Sequence, residues 1–100
     1  MNSPTIEDLE KEAQSLIEKN LTDEDWIRAY GEVEAQPSDG SDRRIGRHYY
    51  TKPNRTDEET LVGWPNVEGV IEELRIRNKA QRCKYALQRG GKIQFDYTNG

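Results

Sequence analysis

An α+β fold is what this sequence predicts, made of an N-terminal helical hairpin, one further helix and a small antiparallel β-sheet of two or three strands. Three observations point there. Apolar residues recur at threes and fours near the start of the chain and again around residues 67–74. Residues 92–97 alternate apolar with polar side chains, as a half-buried strand does. Turn formers crowd the stretch between, in QPSDGSD. One hundred residues suit a single domain, 1–100, with one modest core. The expected division is an acidic helical pair over about 4–35, a loop at 36–42 and a basic α/β part from 43 to 100.

The first helix, about 4–19, opens on Ser3-Pro4-Thr5, with a hydroxyl cap and Glu7 and Asp8 at the positive end of its dipole. Ile6, Leu9, Ala13, Leu16 and Ile17 fall on one side. A second capping signature, Thr22-Asp23-Glu24-Asp25, leads into Trp26, Ile27, Tyr30 and Val33, which read as the inward stripe of a second helix packed on the first. "RRIGRHYYTK", Arg43–Lys52, has β-branched and aromatic residues with no helical period, so a strand is expected over about 44–51. Thr56-Asp57-Glu58-Glu59 resembles a third cap, but Gly63-Trp64-Pro65 follows closely and leaves room for one or two turns at most. Asn66 can cap a helix over 66–79, with Val67, Val70, Ile71 and Leu74 on one face.

The segment "CKYALQRGGKIQFDY" admits two readings. Continued as a helix, its apolar residues would leave the face set by Val67 and Leu74, so one straight helix would need two burial partners. As a hairpin around Arg89-Gly90-Gly91, Cys83, Tyr85 and Leu87 face Ile93, Phe95 and Tyr97 on one sheet face. The hairpin is preferred. The alternative is a helix stopping at Gly90 and a single final strand.

Leu, Ile, Val and Phe supply only 18 residues, so the core is thin and the two Trp and five Tyr must help to fill it. No apolar run approaches the roughly 18 residues a membrane helix needs, and no secretory pattern opens the chain, so a cytoplasmic location is expected. The lone Cys83 agrees with a reducing compartment.

Charge is unevenly spread: residues 1–42 carry 12 acids and 3 bases, residues 43–100 carry 7 acids and 12 bases. Arg43, Arg44, Arg47, His48, Tyr49, Tyr50, Lys52 and Arg55 mix cations with rings, as a surface for single-stranded nucleic acid requires. Between Leu74 and Lys92 lie seven bases and no acid: Arg75, Arg77, Lys79, Arg82, Lys84, Arg89 and Lys92. On one shared face these blocks would attract polyanions; the plainer reading is that acids elsewhere cover them. Tyr49 and Tyr50, adjacent on a strand, must point to opposite faces. Trp64, between Gly63 and Pro65, is either an interface anchor or a plug at the end of the core. A helix-turn-helix over 56–62 and 66–79 can be drawn, but Glu68, Glu72 and Glu73 would face phosphate.

Catalysis finds little footing. His48 with Cys83 is the one conceivable base and nucleophile, and one His with one Cys does not make a metal set. No cofactor is expected. The function expected is therefore non-enzymatic: a small regulatory or inhibitory factor docking on a larger protein or nucleoprotein complex, with nucleic-acid binding as the alternative.

Overall fold

A computed structural model describes residues 4–38 and 41–99, with the side chains of all of these except 37, 38, 41–43 and 56. The chain runs α1 (Ile6–Asn20), β1 (Arg28–Ser38), β2 (Ser41–Lys52), β3 (Arg55–Val62), α2 (Pro65–Arg77), β4 (Arg82–Gln88) and β5 (Gln94–Thr98). All strand pairs are antiparallel, in the order β3-β2-β1-β4-β5. The α+β class holds, with five strands where two or three were expected.

α1 is capped as its sequence suggests. Thr5 Oγ1 accepts from the Asp8 amide at 3.0 Å and the Thr5 amide donates to Asp8 Oδ2 at 3.1 Å. Those two bonds to Thr5 hold the Asp8 carboxyl below its usual range. Leu9, Ala13 and Ile17 are its buried stripe.

The expected partner helix is instead β1. Trp26, Ile27, Tyr30 and Val33 have helical spacing, yet Ala29, Gly31 and Val33 point to one face of the sheet and Arg28, Tyr30 and Glu32 to the other. Ladders on both sides decide the matter, since β1 pairs with β2 along its whole length and with β4 from Arg28 to Glu34. The helical hairpin is thus absent, and α1 packs on α2. The loop expected at 36–42 shrinks, because β1 and β2 pair up to Ser38 opposite Ser41. Asp39 and Gly40 lie outside the described residues.

β3 replaces the short helical turn expected at 56–62, which also removes the helix-turn-helix. Its register to β2 runs from His48 opposite Val62 to Tyr50 opposite Thr60, shifts, and ends with Lys52 opposite Arg55. α2 starts one residue before the expected point, on Pro65 in the first turn with Trp64 as N-cap. Asn66 is not the cap; its side chain accepts from the Val67 amide at 2.8 Å and meets Asn20 of α1.

The hairpin preferred for 83–97 forms, with a longer connection than the expected Arg89-Gly90-Gly91 turn: β4 ends at Gln88 and β5 begins at Gln94, so Ile93 lies in the connection and not on the strand. Cys83 lies opposite Tyr97 and Tyr85 opposite Phe95, and Gly90 turns with a φ of 81°, where a side chain would be strained.

Both helices cover one face of the sheet. Val67, Ile71 and Leu74 of α2 and the buried stripe of α1 meet Ala29, Val33, Tyr50, Cys83, Tyr85 and Leu87 in one apolar cluster with Trp26, Trp64 and Ile93. No helix among the described residues is long and apolar enough to cross a membrane. The other face of the sheet has no element packed over it among the described residues.

Candidate binding face

The pleat of β2 divides the basic, aromatic segment into two sets. Register with β1 places Arg44, Gly46, His48 and Tyr50 toward the helices, opposite Ala35, Val33, Gly31 and Ala29. Ile45, Arg47 and Tyr49 point to the open side. Neighbours in sequence therefore have different surroundings.

On the covered side the polar groups bind one another. His48 is only 2 % exposed, and its Nδ1 is 2.7 Å from the Tyr85 hydroxyl while its Nε2 faces Glu68 Oε1 at 3.5 Å. A carboxylate opposite Nε2 favours the proton there, so Nδ1 accepts from the Tyr85 O–H. Burial holds the His48 ring below its usual pKa, partly opposed by Glu68, and burial pushes the Tyr85 hydroxyl up. The chain of contacts continues outward. Glu68 Oε2 is 3.3 Å from Arg44 Nε, Arg44 Nη1 is 3.7 Å from Glu72, and Glu72 also pairs with Arg75, which donates to the Ala80 carbonyl at 2.9 Å. Strands β2 and β4 are tied to α2 through this network.

Two glycines make room for it. A Cβ on Gly31 would stand 2.4 Å from the Arg47 carbonyl oxygen and 2.8 Å from the Tyr85 hydroxyl. On Gly46 it would stand 1.9 Å from Glu68 Oε1. Only a bare backbone at these positions lets Tyr85 reach His48 and lets Glu68 lie against β2.

The open side is built differently. Tyr30 and Tyr49 stack across β1 and β2 with ring centroids 5.5 Å apart, and the Arg28 guanidinium lies 4.9 Å from the Tyr30 centroid. The Tyr30 hydroxyl donates to the Glu59 carboxylate of β3. Burial and that bond push its pKa up to about 12, so it stays a donor. Beside the rings is a depression of about 390 Å³ lined by Arg28, Tyr30, Glu32, Arg47, Tyr49, Lys84, Ala86, Gln94 and Asp96 among others. Leu61, directly opposite Tyr49 on β3, is 66 % exposed and extends the apolar surface toward the sheet edge.

Of the residues singled out in the sequence, Arg47 and Tyr49 reach this face. Arg44 and His48 belong to the covered network, and Tyr50 is buried in the core. The Arg43 backbone pairs with Gln36, and its side chain lies outside the described ones. Lys52 ends β2, opposite Arg55. Trp64 is 9 % exposed and packs in the core, its ring 6.1 Å from that of His48. Arg75 pairs with Glu72, Arg77 with Glu73, and Arg89 with Asp25 beside the Trp26 ring. Lys92 is exposed in the β4–β5 connection. The two basic blocks are thus split between α2, the covered network and the open face.

Sequence reasoning missed Arg28 and Tyr30 because it placed them on a helix in the acidic half. Lys84 it noted only as part of a basic run. Cys83 is fully buried opposite Val33 and Tyr97, with its thiol pushed up to about 12 by burial. His48 turns its ring nitrogens to Tyr85 and Glu68 instead, so the structure does not bring the two together as a base and nucleophile. Among the described residues no group of three or more His, Cys, Asp or Glu side chains converges as a metal site.

Compared with known proteins, the chain matches no family model and no curated protein.

Proposed function

We propose that this protein works by binding, without chemistry of its own, as a small regulatory or inhibitory factor that docks through the open face of its sheet on a larger protein or nucleoprotein complex. The observation that carries the reading is the contrast in how polar groups are used. Polar side chains on the covered face bind one another, whereas the open face offers stacked Tyr30 and Tyr49, exposed Leu61, and cations at Arg28, Arg47 and Lys84 that have no ion pair among the described residues. Rings and arginines of this kind are enriched where interfaces draw their affinity.

Trp64 does not serve as the anchor in this reading, because its ring is part of the core. The test is affinity capture from the native host with the full chain. Partners recovered with the unaltered protein are expected to be lost with Tyr49→Ala and Arg47→Gln, and kept with Ile76→Ser on the solvent side of α2, where Ile76 is 54 % exposed. Loss with Ile76→Ser and retention with the other two would move the docking surface off the sheet.

A further inference from the structure

We propose that the depression on the open face takes single-stranded nucleic acid, with a base stacked on the Tyr30–Tyr49 pair and phosphates held by Arg28, Arg47 and Lys84. This rests on the reading of that face as the docking surface and names its ligand. The distribution of the arginines carries the inference. Eight arginine side chains are described, and six of them, Arg44, Arg55, Arg75, Arg77, Arg82 and Arg89, lie within 4 Å of a carboxylate. The two that have no such partner among the described residues are Arg28 and Arg47, and both line the depression. Lys84, the third cation there, has none either.

The carboxylates of this face are largely engaged elsewhere. Glu32 and Glu34 sit 3.7 Å and 3.1 Å from Arg82, and Glu59 accepts from Tyr30. Asp96, opposite Lys84 on β5, is the one left at the depression. Over the whole face Arg28, Arg47, Arg82 and Lys84 balance Glu32, Glu34, Glu59 and Asp96, so what favours an anion is the two guanidinium forks without a carboxylate partner among the described residues, which match the oxygens of a phosphate. An inorganic anion would use the cations and leave the rings idle; a neutral aromatic would do the reverse. Each nucleotide supplies both a planar base and a phosphate, and ring stacking in such sites tolerates any base. Arg47 and Lys84 stand in one row across the sheet on either side of Glu32, and Arg28 stands beyond Tyr30 along β1, so a strand would run from that row past the stacked rings to Arg28. An acidic peptide meets the same cations but has a ring only where its sequence provides one. The acidic helix α1 covers the opposite face and does not line this one.

The test is fluorescence anisotropy of labelled dT12 and U12 with the full chain at about 50 and 200 mM salt. Three phosphate contacts predict roughly 20-fold weaker binding over that range, since each contributes a slope of about −0.7 for single strands. Arg28→Gln and Arg47→Gln are each expected to weaken binding and flatten the slope by about 0.7. Tyr49→Ala is expected to lose about tenfold or more, Tyr49→Phe to keep the affinity, and circular dichroism to report both folded. Lys19→Gln, on α1 behind the sheet, leaves binding unchanged if the site is the open face. Preference for dT12 or U12 then assigns the strand type. No binding of either strand at 50 mM salt overturns the inference, as does equal weakening by Lys19→Gln. If the strands fail while an acidic, tyrosine-containing peptide binds and depends on Arg47 and Tyr49, the ligand class is wrong and the docking face stands. If neither oligonucleotide, peptide nor host partner depends on those residues, both readings fall.

Discussion

The two faces of this sheet are made from the same kinds of residue and put them to different uses. On the covered face Arg44, His48 and Tyr85 are locked into a network with Glu68 and Glu72; on the open face Arg28, Arg47, Tyr30 and Tyr49 set rings beside cations that have no ion pair among the described residues. Arg44 and Arg47, three residues apart on one strand, differ because a strand turns successive side chains to opposite sides. Composition therefore says little about the role of a basic residue here. Its parity along the strand says more.

The sharpest way to break this contrast is Trp64→Ala. If the ring is core, truncation costs about 3–5 kcal/mol of stability, measured by urea unfolding. A fall below about 1 kcal/mol with lost partner binding would return Trp64 to the role of anchor. Next in size is Gly31→Val. The added atoms collide with the Arg47 carbonyl and the Tyr85 hydroxyl, so overpacking of about 1–3 kcal/mol or more is expected, seen as a lower unfolding midpoint. A neutral result would mean that Tyr85 does not lie across Gly31.

A smaller effect sharpens the account of the covered network. Burial holds His48 below its usual pKa, so near pH 6 the folded protein binds fewer protons at this ring than the unfolded chain does. Stability from this group is therefore fully present above about 6.5 and is lost as pH falls through 6.5 toward the folded value. Urea unfolding at about pH 7, 6 and 5 is expected to show the decline, and His48→Gln to flatten it. An unchanged pH profile in the variant would remove His48 as its source. The smallest change is expected from Arg47→Gln, within about 0.5 kcal/mol of the unaltered protein, because no described side chain pairs with it.

Several elements were legible because one local signal sufficed. The hydroxyl-and-acid opening and the apolar stripe define α1, the Val67–Leu74 spacing defines α2 although Pro65 reads as a break and Asn66 as its cap, and the drift of apolar positions against a helical period exposes the β4–β5 hairpin. β1 was not legible in that way. Its covered positions, Ala29, Gly31, Val33 and Ala35, are small, so they show no hydrophobic alternation; the bulk over them comes from Tyr85 and His48 on neighbouring strands. Its open positions include Tyr30, which with Trp26 and Val33 imitates a helical stripe. β3 was hidden by acids suited to a helix start, and its strand form comes from pairing with β2. The candidate site was half legible. Arg47 and Tyr49 were in view, while Arg28 and Tyr30 needed the register of β1.

The most direct measurement of the division between faces is urea unfolding of two matched variants, Tyr85→Phe and Tyr49→Phe, each lacking one hydroxyl. Tyr85→Phe strips His48 Nδ1 of its donor in a buried setting and is expected to cost about 1–3 kcal/mol, while Tyr49→Phe is expected to stay within about 0.5 kcal/mol of the unaltered protein. Equal losses, or the larger loss at Tyr49, would contradict the account.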